Sequence, residues 1–133
     1  MNVLRAVAIA LSLSIPAAAQ ATADDLRSVA GMESHNRALV VFAPSLSDAR
    51  VQQQHAVMAQ LAVQAASLDL LLVQVDTRRV IGSHDSATAL RRRFRVPPET
   101  FRALLIDKDG KVVLTAPAPI RAGTILRAFG ARR

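Results

Sequence analysis

Two unbroken apolar runs are the strongest hydrophobic pattern in the first half of the chain. Ala38–Phe42 forms the first run, and the second lies within Asp69–Asp76, read as DLLLVQVD. Continuous runs of this length are typical of strands that are covered on both faces, and they predict central strands of a parallel sheet. A βαβ connection between two such strands is right-handed in nearly all proteins.

The segment between these two runs has a helical period. The pattern predicts a helix from about Ser47 to Ala66, and its inward positions are Val51, Met58, Leu61, Ala62 and Ala65. Ser45 and Asp48 stand three residues apart at the start, which is the spacing of a helix-capping pair. The helix is therefore expected to begin in this turn.

The second half of the chain predicts a short helix, a hairpin and a last helix. The helix covers Ser86–Phe94, with Arg91, Arg92 and Arg93 mostly outward, and Val96-Pro97-Pro98 ends it. Phe101–Ile106 and Lys111–Thr115 flank Asp107-Lys108-Asp109-Gly110, where glycine supplies the positive φ of a hairpin turn. Ile120–Phe129 is the last helix.

These elements follow the order β-α-β-α-β-β-α, which predicts an α/β fold with a four-stranded mixed sheet and flanking helices. Thr77–Asp85 contains Gly82 and little periodicity, so it is expected to be a loop. It follows the second strand, at the sheet end where open α/β sheets carry their ligands.

The first residues have the three parts of an export signal. Met1–Ala21 contains Arg5, an apolar segment Ala6–Ile15 and small residues before Ala19 and Ala21, after either of which cleavage is expected. Residues 22–133 would then form a single domain without a transmembrane segment. The predicted location is secreted, with the periplasm favoured.

Composition narrows the chemistry. The chain has no cysteine, which excludes disulfides, thiol catalysis and thiolate metal sites. The formal charge is +7, and arginine supplies most of the cations. This charge is either a solvated surface or a means of binding an anionic envelope component. Nucleic acid is not expected as a partner, because export and the lack of interleaved aromatic residues argue against it.

Candidate binding residues concentrate in the turn after the first strand. Its polar or constrained members could cap the helix or bind an anion or a partner, and they are Pro44, Ser45, Ser47, Asp48 and the nearby Arg50. His84 and Arg91 are further candidates. The arginine run Arg91–Arg93 with Arg95 would line an anion groove or form a solvated face.

Catalytic and metal sites have weaker support. A Ser-His-Asp arrangement would need Ser45 or Ser47 near His84 and near Asp76 or Asp85, and the elbow glycines of a hydrolase are missing. No histidine pair has helical ligand spacing, and a hairpin turn explains the calcium-like Asp107–Gly110. We expect no metal and no cofactor.

Three segments, Arg37–Asp48, Leu90–Val96 and Leu104–Gly110, resemble the secreted bacterial family known as domain of unknown function 4174, and the element order resembles the thioredoxin fold. The resemblance covers roughly Asp24–Phe129 and implies a thioredoxin-like domain. Thioredoxins place a redox pair between the first core strand and its helix. Here that turn reads Ala43-Pro44-Ser45-Leu46-Ser47-Asp48, and serine cannot form a mixed disulfide. The cis-proline of thioredoxins is not carried over, because Pro97 and Pro98 lie too early.

The sequence therefore predicts a non-redox, thioredoxin-like binding or protein-interaction module whose partner is unknown. One alternative is an enzyme that uses non-thiol groups around Ser45, Asp48 and His84. Another is a binder of an anionic envelope surface that acts through arginine side chains.

Overall fold

The computed structural model describes residues 28–32 and 34–130, so the predicted leader Met1–Ala21 lies outside the described residues. A short 3₁₀ turn, Ala30–Met32, precedes nine regular elements. In chain order they are β1 (Arg37–Phe42), α1 (Ala49–Gln60), α2 (Ala62–Ser67), β2 (Leu70–Val75), β3 (Val80–Ile81), α3 (Ala87–Phe94), β4 (Arg102–Ile106), β5 (Val112–Ala116) and α4 (Ala122–Gly130). None of these helices is long and apolar enough to cross a membrane.

The strands form one mixed sheet in the order β3-β2-β1-β4-β5. β1 and β2 are parallel, with Ala38 opposite Leu71, and the other three pairs are antiparallel. The predicted α/β class, the central position of β1 and the parallel βαβ half are confirmed. The predicted number of strands is wrong by one.

The additional strand, β3, lies in the segment Thr77–Asp85 that was expected to be a loop. It has only two residues, which pair with Gln74 and Val75 at the edge of the sheet. Two residues are too few to show an alternating pattern, so the strand depends on its pairing partner rather than on local sequence. Gly82 follows it with φ +102°, a conformation that side-chain-bearing residues rarely adopt.

The core lies on both faces of the sheet, and β1 contributes to both. Leu39 and Val41 pack in one cluster with Val51 of α1 and Phe129 of α4. On the other face, Val40 belongs to a second cluster that includes Leu90 of α3 and residues of β2 and β4. Ala38–Phe42 is at most 2% exposed throughout, which is why the run has no polar position.

The predicted helix Ser47–Ala66 is divided in two at Leu61. This residue leaves helical geometry at φ −94° and ψ 12°, and its N–H is shared between the carbonyls of Val57 and Met58, both at 3.1 Å. No proline or glycine marks the break. Val51, Leu61 and Ala65 are buried as predicted, whereas Ala62 is exposed and Gln54 is fully buried.

The hairpin turn and α3 lie where the sequence predicts them. Gly110 has φ +81° and donates its N–H to the Asp107 carbonyl at 2.9 Å, as the hairpin turn requires. Ser86 caps α3 by accepting from the Ala89 N–H at 3.1 Å. α3 ends at Phe94, and its C-cap Arg95 is in the left-handed region at φ 56°.

Candidate functional site

Most of the predicted site residues lie at one end of the sheet. β1 and β2 run parallel, so their C-terminal ends lie side by side at this end. Ala43 extends the pairing by donating its N–H to the Val75 carbonyl at 2.9 Å. β4 begins here too, because Arg102 is opposite Phe42. We call the residues Pro44–Arg50, Asp76–Arg79, Arg91–Arg95 and Arg102 the strand-end surface.

The turn Pro44–Asp48 is anchored in the core by one apolar side chain and presents polar side chains to solvent. Leu46 is 8% exposed and belongs to the core, and the Gln52 side chain donates to its carbonyl at 3.2 Å. Ser45 and Ser47 are exposed, with 2.8 Å between their hydroxyl oxygens. The Ser47 N–H also donates to the Ser45 hydroxyl at 3.2 Å. The two hydroxyls therefore stand side by side in solvent.

Asp48 alone caps α1, so the predicted capping pair of Ser45 and Asp48 is wrong. Its carboxylate accepts from the Arg50 backbone N–H at 2.9 Å and holds the Arg50 guanidinium at 3.0 and 2.7 Å. A carboxylate directly before the helix reaches a free N–H at once, which leaves the Ser45 hydroxyl to Ser47. The Arg50 side chain and backbone N–H lower the pKa of Asp48.

The Arg50 guanidinium lies 4.7 Å from the centre of the Phe101 ring. Phe101 is 3% exposed, so Arg50 covers an aromatic side chain that precedes β4. The ion pair with Asp48 and the ring contact together hold this arginine in one place. The helix start and the start of β4 are thereby joined at the strand-end surface.

Arg91 is buried, which corrects the prediction that the run Arg91–Arg93 points mostly outward. It is 8% exposed, whereas Arg92 and Arg93 are exposed. Its two terminal nitrogens donate to the carbonyls of Ala43 and Pro97, each at 2.8 Å. Burial lowers the pKa of Arg91 against the opposing effect of the nearby Asp76 carboxylate. Arg91 therefore ties α3 and the segment after it to the end of β1.

Asp76 closes the turn between β2 and β3. Its carboxylate accepts from the backbone N–H groups of Arg78 and Arg79 at 2.7 and 2.6 Å, and the Arg79 Nε lies 3.6 Å away. Burial alone would raise the pKa of Asp76, but the two N–H groups and Arg79 outweigh it, so the pKa is lowered.

The catalytic alternative around His84 lacks the hydrogen bonds that a Ser-His-Asp arrangement requires. His84 is exposed, and no hydrogen bond within the described part of the chain joins it to Ser45 or Ser47. Asp85 accepts from the Val29 N–H at 2.7 Å and from the Ser83 hydroxyl at 2.8 Å. The Asp76 carboxylate accepts from the Arg78 and Arg79 N–H groups of its own turn. Residues 28–32 and 34–130 also bring together no three potential metal ligands of the His, Cys, Asp or Glu type.

Four of the seven candidates form the turn itself. Arg50 is bound to the turn through Asp48, and Arg91 donates to the carbonyl of Ala43, the residue before the turn. His84 lies in the loop between β3 and α3, and no hydrogen bond within the described residues joins it to the turn. A cavity of about 320 Å³ lies elsewhere, between α2 and α4, and none of the candidates lines it.

Arg78, Arg79 and Arg102 lie at the strand-end surface but were not predicted as site residues. A signal was present, because Arg78 and Arg79 follow β2 almost directly and Arg102 begins β4. The topology β1 parallel to β2 and antiparallel to β4 brings these strand ends to the same edge. Combining strand direction with the positions of arginine would have placed all three at the same end of the sheet as Ser45.

Comparisons with known proteins agree with this architecture. The fold is similar to the crystal structure of the pneumococcal exposed lipoprotein thioredoxin Etrx1 from Streptococcus pneumoniae strain TIGR4, with a TM-score of 0.53 and 17% sequence identity. The match covers 74% of this chain and 86% of the other. Identity this low shows the thioredoxin-like fold alone.

A comparison with curated protein sequences gives no match. Residues 28–128 match the family described as domain of unknown function (DUF4174), which covers most of the chain. The segments that carry the resemblance, from β1 through the hairpin turn, all lie within that range. The chain therefore belongs to the DUF4174 family, and within it has a thioredoxin-like fold without cysteine.

Proposed function

We propose that this protein is an exported, non-redox binding module that holds a partner protein at the turn Pro44–Asp48. The observation that carries the proposal is the construction of this turn. It follows the central strand, at the position where thioredoxins keep their redox pair, and it presents two exposed hydroxyls on a buried leucine anchor. A surface fixed in advance loses little conformational freedom on binding.

Binding rather than catalysis is favoured by the state of the nearby carboxylates. Asp48, Asp76 and Asp85 each accept hydrogen bonds from neighbouring groups, and within the described residues no hydrogen bond joins any of them to His84 to orient it as a base. Among the described residues, the exposed hydroxyls of Ser45 and Ser47 have only each other and a backbone N–H as partners. They can exchange these for contacts with a ligand at small cost.

Export is supported by the pattern of Met1–Ala21, and the structural neighbour is described as an exposed lipoprotein. A protein without disulfides can function outside the cytoplasm when its hydrophobic core alone keeps it folded. This protein has an apolar core on both faces of its sheet. N-terminal sequencing of the protein from the cells that produce it tests the proposal. We expect a start at Gln20 or Thr22, and an intact Met1 in a cytoplasmic fraction would contradict it.

The partner site is tested by photo-crosslinking in those cells. A photoreactive residue replaces Ser47 in one variant and Gln60, an exposed residue at the other end of α1, in a matched control. We expect a discrete adduct from position 47 that is absent at position 60. Equal adducts at both positions would show general surface contact and contradict the proposed site.

Removal of the Ser45 hydroxyl gives a second measure. Ser45→Ala leaves the Asp48 cap and the buried Leu46 in place, so the fold should be unaffected while the adduct from position 47 decreases. Ser67→Ala, on α2, removes an exposed hydroxyl away from the turn and is the control. An adduct yield that is unchanged by Ser45→Ala would show that the Ser45 hydroxyl is not part of the binding site.

A further inference from the structure

Arginine side chains without an acidic neighbour are concentrated on the strand-end surface. Besides the Asp48-paired Arg50 and the buried Arg91, this surface carries Arg78, Arg79, Arg92, Arg93, Arg95 and Arg102. Among the described residues, only Arg79 of these six has a carboxylate within 4 Å, that of Asp76 at 3.6 Å. The other five we call the unpaired arginines.

The opposite end of the sheet is balanced by ion pairs. Arg37 contacts Asp107 at 3.1 Å, and Lys108 contacts Asp69 at 2.7 Å. Lys111 lies in the same hairpin turn as Asp109. The excess positive charge is therefore not spread evenly. It accumulates at the end of the sheet where the turn Pro44–Asp48 also lies. Charge of one sign gathered on one surface attracts and orients a ligand of the other sign.

Local contacts hold several of these arginines in position. The Arg93 guanidinium lies 4.9 Å from the Phe94 ring centre, and Phe94 in turn packs against Phe42 with 6.1 Å between ring centres. Arg102 donates to the Arg95 carbonyl at 3.3 Å. The bonds of Arg91 to Ala43 and Pro97 fix the end of α3 against β1. The guanidinium groups are thus presented from anchored backbone rather than from a free loop.

We infer that the strand-end surface binds an acidic segment of a partner protein, whose carboxylates pair with the unpaired arginines. This inference rests on the proposed function and names the chemistry of the partner. The planar guanidinium fork matches a carboxylate with two parallel hydrogen bonds. The exposed hydroxyls of Ser45 and Ser47 lie on the same surface and would donate to further carboxylates or carbonyls of the bound segment.

Two other classes of polyanion fit the surface less well. A membrane surface is favoured by apolar side chains that insert. Of the four exposed large apolar residues within 28–32 and 34–130, however, Val63, Leu71 and Val112 lie towards the other end of the sheet. Single-stranded nucleic acid needs exposed aromatic rings. The chain has no Trp or Tyr, Phe42, Phe101 and Phe129 are buried, and the half-buried Phe94 ring already has the Arg93 guanidinium over it.

Fluorescence anisotropy with a labelled oligo-glutamate peptide tests the inference, and a length-matched oligo-glutamine peptide is the probe control. We expect the purified protein to bind oligo-glutamate, to ignore oligo-glutamine and to lose affinity as salt is raised. Vesicles that contain phosphatidylglycerol distinguish a lipid surface. Binding to these vesicles without binding to oligo-glutamate would overturn the inference.

A pair of triple variants with equal charge change locates the site. Arg78→Gln/Arg92→Gln/Arg93→Gln removes three exposed arginines of the strand-end surface, and we expect affinity for oligo-glutamate to fall about tenfold. Lys108→Gln/Lys111→Gln/Arg127→Gln removes three cations elsewhere and should change affinity by less than about twofold. Equal losses in the two variants would show a general charge effect and overturn the inference.

Folding of each variant is checked by urea unfolding. If the first triple variant is unfolded, Arg92→Gln alone replaces it and should still weaken binding more than Lys111→Gln. Failure of this inference is separable from failure of the proposed function. An adduct at position 47 without oligo-glutamate binding leaves the turn as a site for a non-acidic partner. Oligo-glutamate binding without that adduct would show that the arginines bind acidic segments and that the turn Pro44–Asp48 is not the partner site.

Discussion

Gln54 shows how one polar side chain can join distant parts of the core. It is fully buried in α1, where its amide donates to the Ile120 carbonyl at 2.9 Å and accepts from the Ile120 N–H at 2.7 Å. Ile120 precedes α4, so the two bonds fix the start of that helix against α1. Buried backbone groups need partners, and this segment has no strand or helix to supply them.

Replacement of this side chain should be strongly destabilising. Gln54→Leu leaves both polar groups of Ile120 buried without a partner, and we expect a loss of about 2–5 kcal/mol in the free energy of unfolding. Urea denaturation measures it. Gln53→Leu changes the exposed neighbour and should stay within about 0.5 kcal/mol. Equal effects of the two substitutions would contradict the role of Gln54.

Arg91 has a comparable role at the other face of the sheet. Arg91→Met keeps the aliphatic volume but removes both bonds to the carbonyls of Ala43 and Pro97, so we expect a loss of about 2–4 kcal/mol. Amide hydrogen exchange in residues 43–48 should also become faster, because the turn loses its support. Arg92→Met is the exposed control, and exchange that is the same in both variants would show that Arg91 does not hold the turn.

Among the elements, those that a short sequence encodes by itself could be predicted. The hairpin turn Asp107–Gly110 contains its own glycine, α3 contains its own cap at Ser86, and β1 is buried on both faces. β3 could not be predicted, since its two residues become a strand only beside β2. The inward direction of Arg91 likewise depends on two carbonyls, those of Ala43 and Pro97, that belong to other segments.

Gly82 sets the direction of the chain as it leaves β3. A Cβ atom at this position would collide with the Leu72 carbonyl oxygen of the neighbouring strand, and φ is +102°. Gly82→Ala should therefore cost more than about 1 kcal/mol. Gly123→Ala, in α4, meets no closer atom than Arg127 Nη1 at 3.7 Å and should be neutral or stabilising by up to about 1 kcal/mol. Thermal unfolding of both variants checks the contrast, which equal shifts would refute.

At the scale of the whole molecule, the two ends of the sheet differ in charge. Topology explains this difference, because it gathers residues that are far apart in sequence, such as Arg50, Arg78 and Arg102, at the ends of neighbouring strands. The turn Pro44–Asp48 could be selected from the sequence as a candidate site. Its arginine surroundings follow from the sequence only when the predicted strand directions and pairings are combined with the positions of Arg78, Arg79 and Arg102.

The same charge arrangement predicts a loss of stability in acid. Asp48, Asp69 and Asp76 all have pKa values below the ordinary value in the folded chain. A carboxylate with a lowered folded-state pKa stabilises the protein above its unfolded value of about 3.9, and this contribution disappears as pH falls through the folded pKa. Urea midpoints should therefore decrease between about pH 5 and about pH 2.

Asp76 offers the most direct test of that acid dependence, because its carboxylate is buried and bonded to Arg78 and Arg79. Asp76→Asn should be less stable than the parent at neutral pH, and the difference should shrink in acid, where the parent carboxylate is protonated too. Glu99→Gln, the control, changes an exposed acid that has no ion pair among the described residues, and at neutral pH it should be about as stable as the parent. A difference between Asp76→Asn and the parent that stays constant from neutral to acid pH would mean that Asp76 supports its turn by shape rather than by charge.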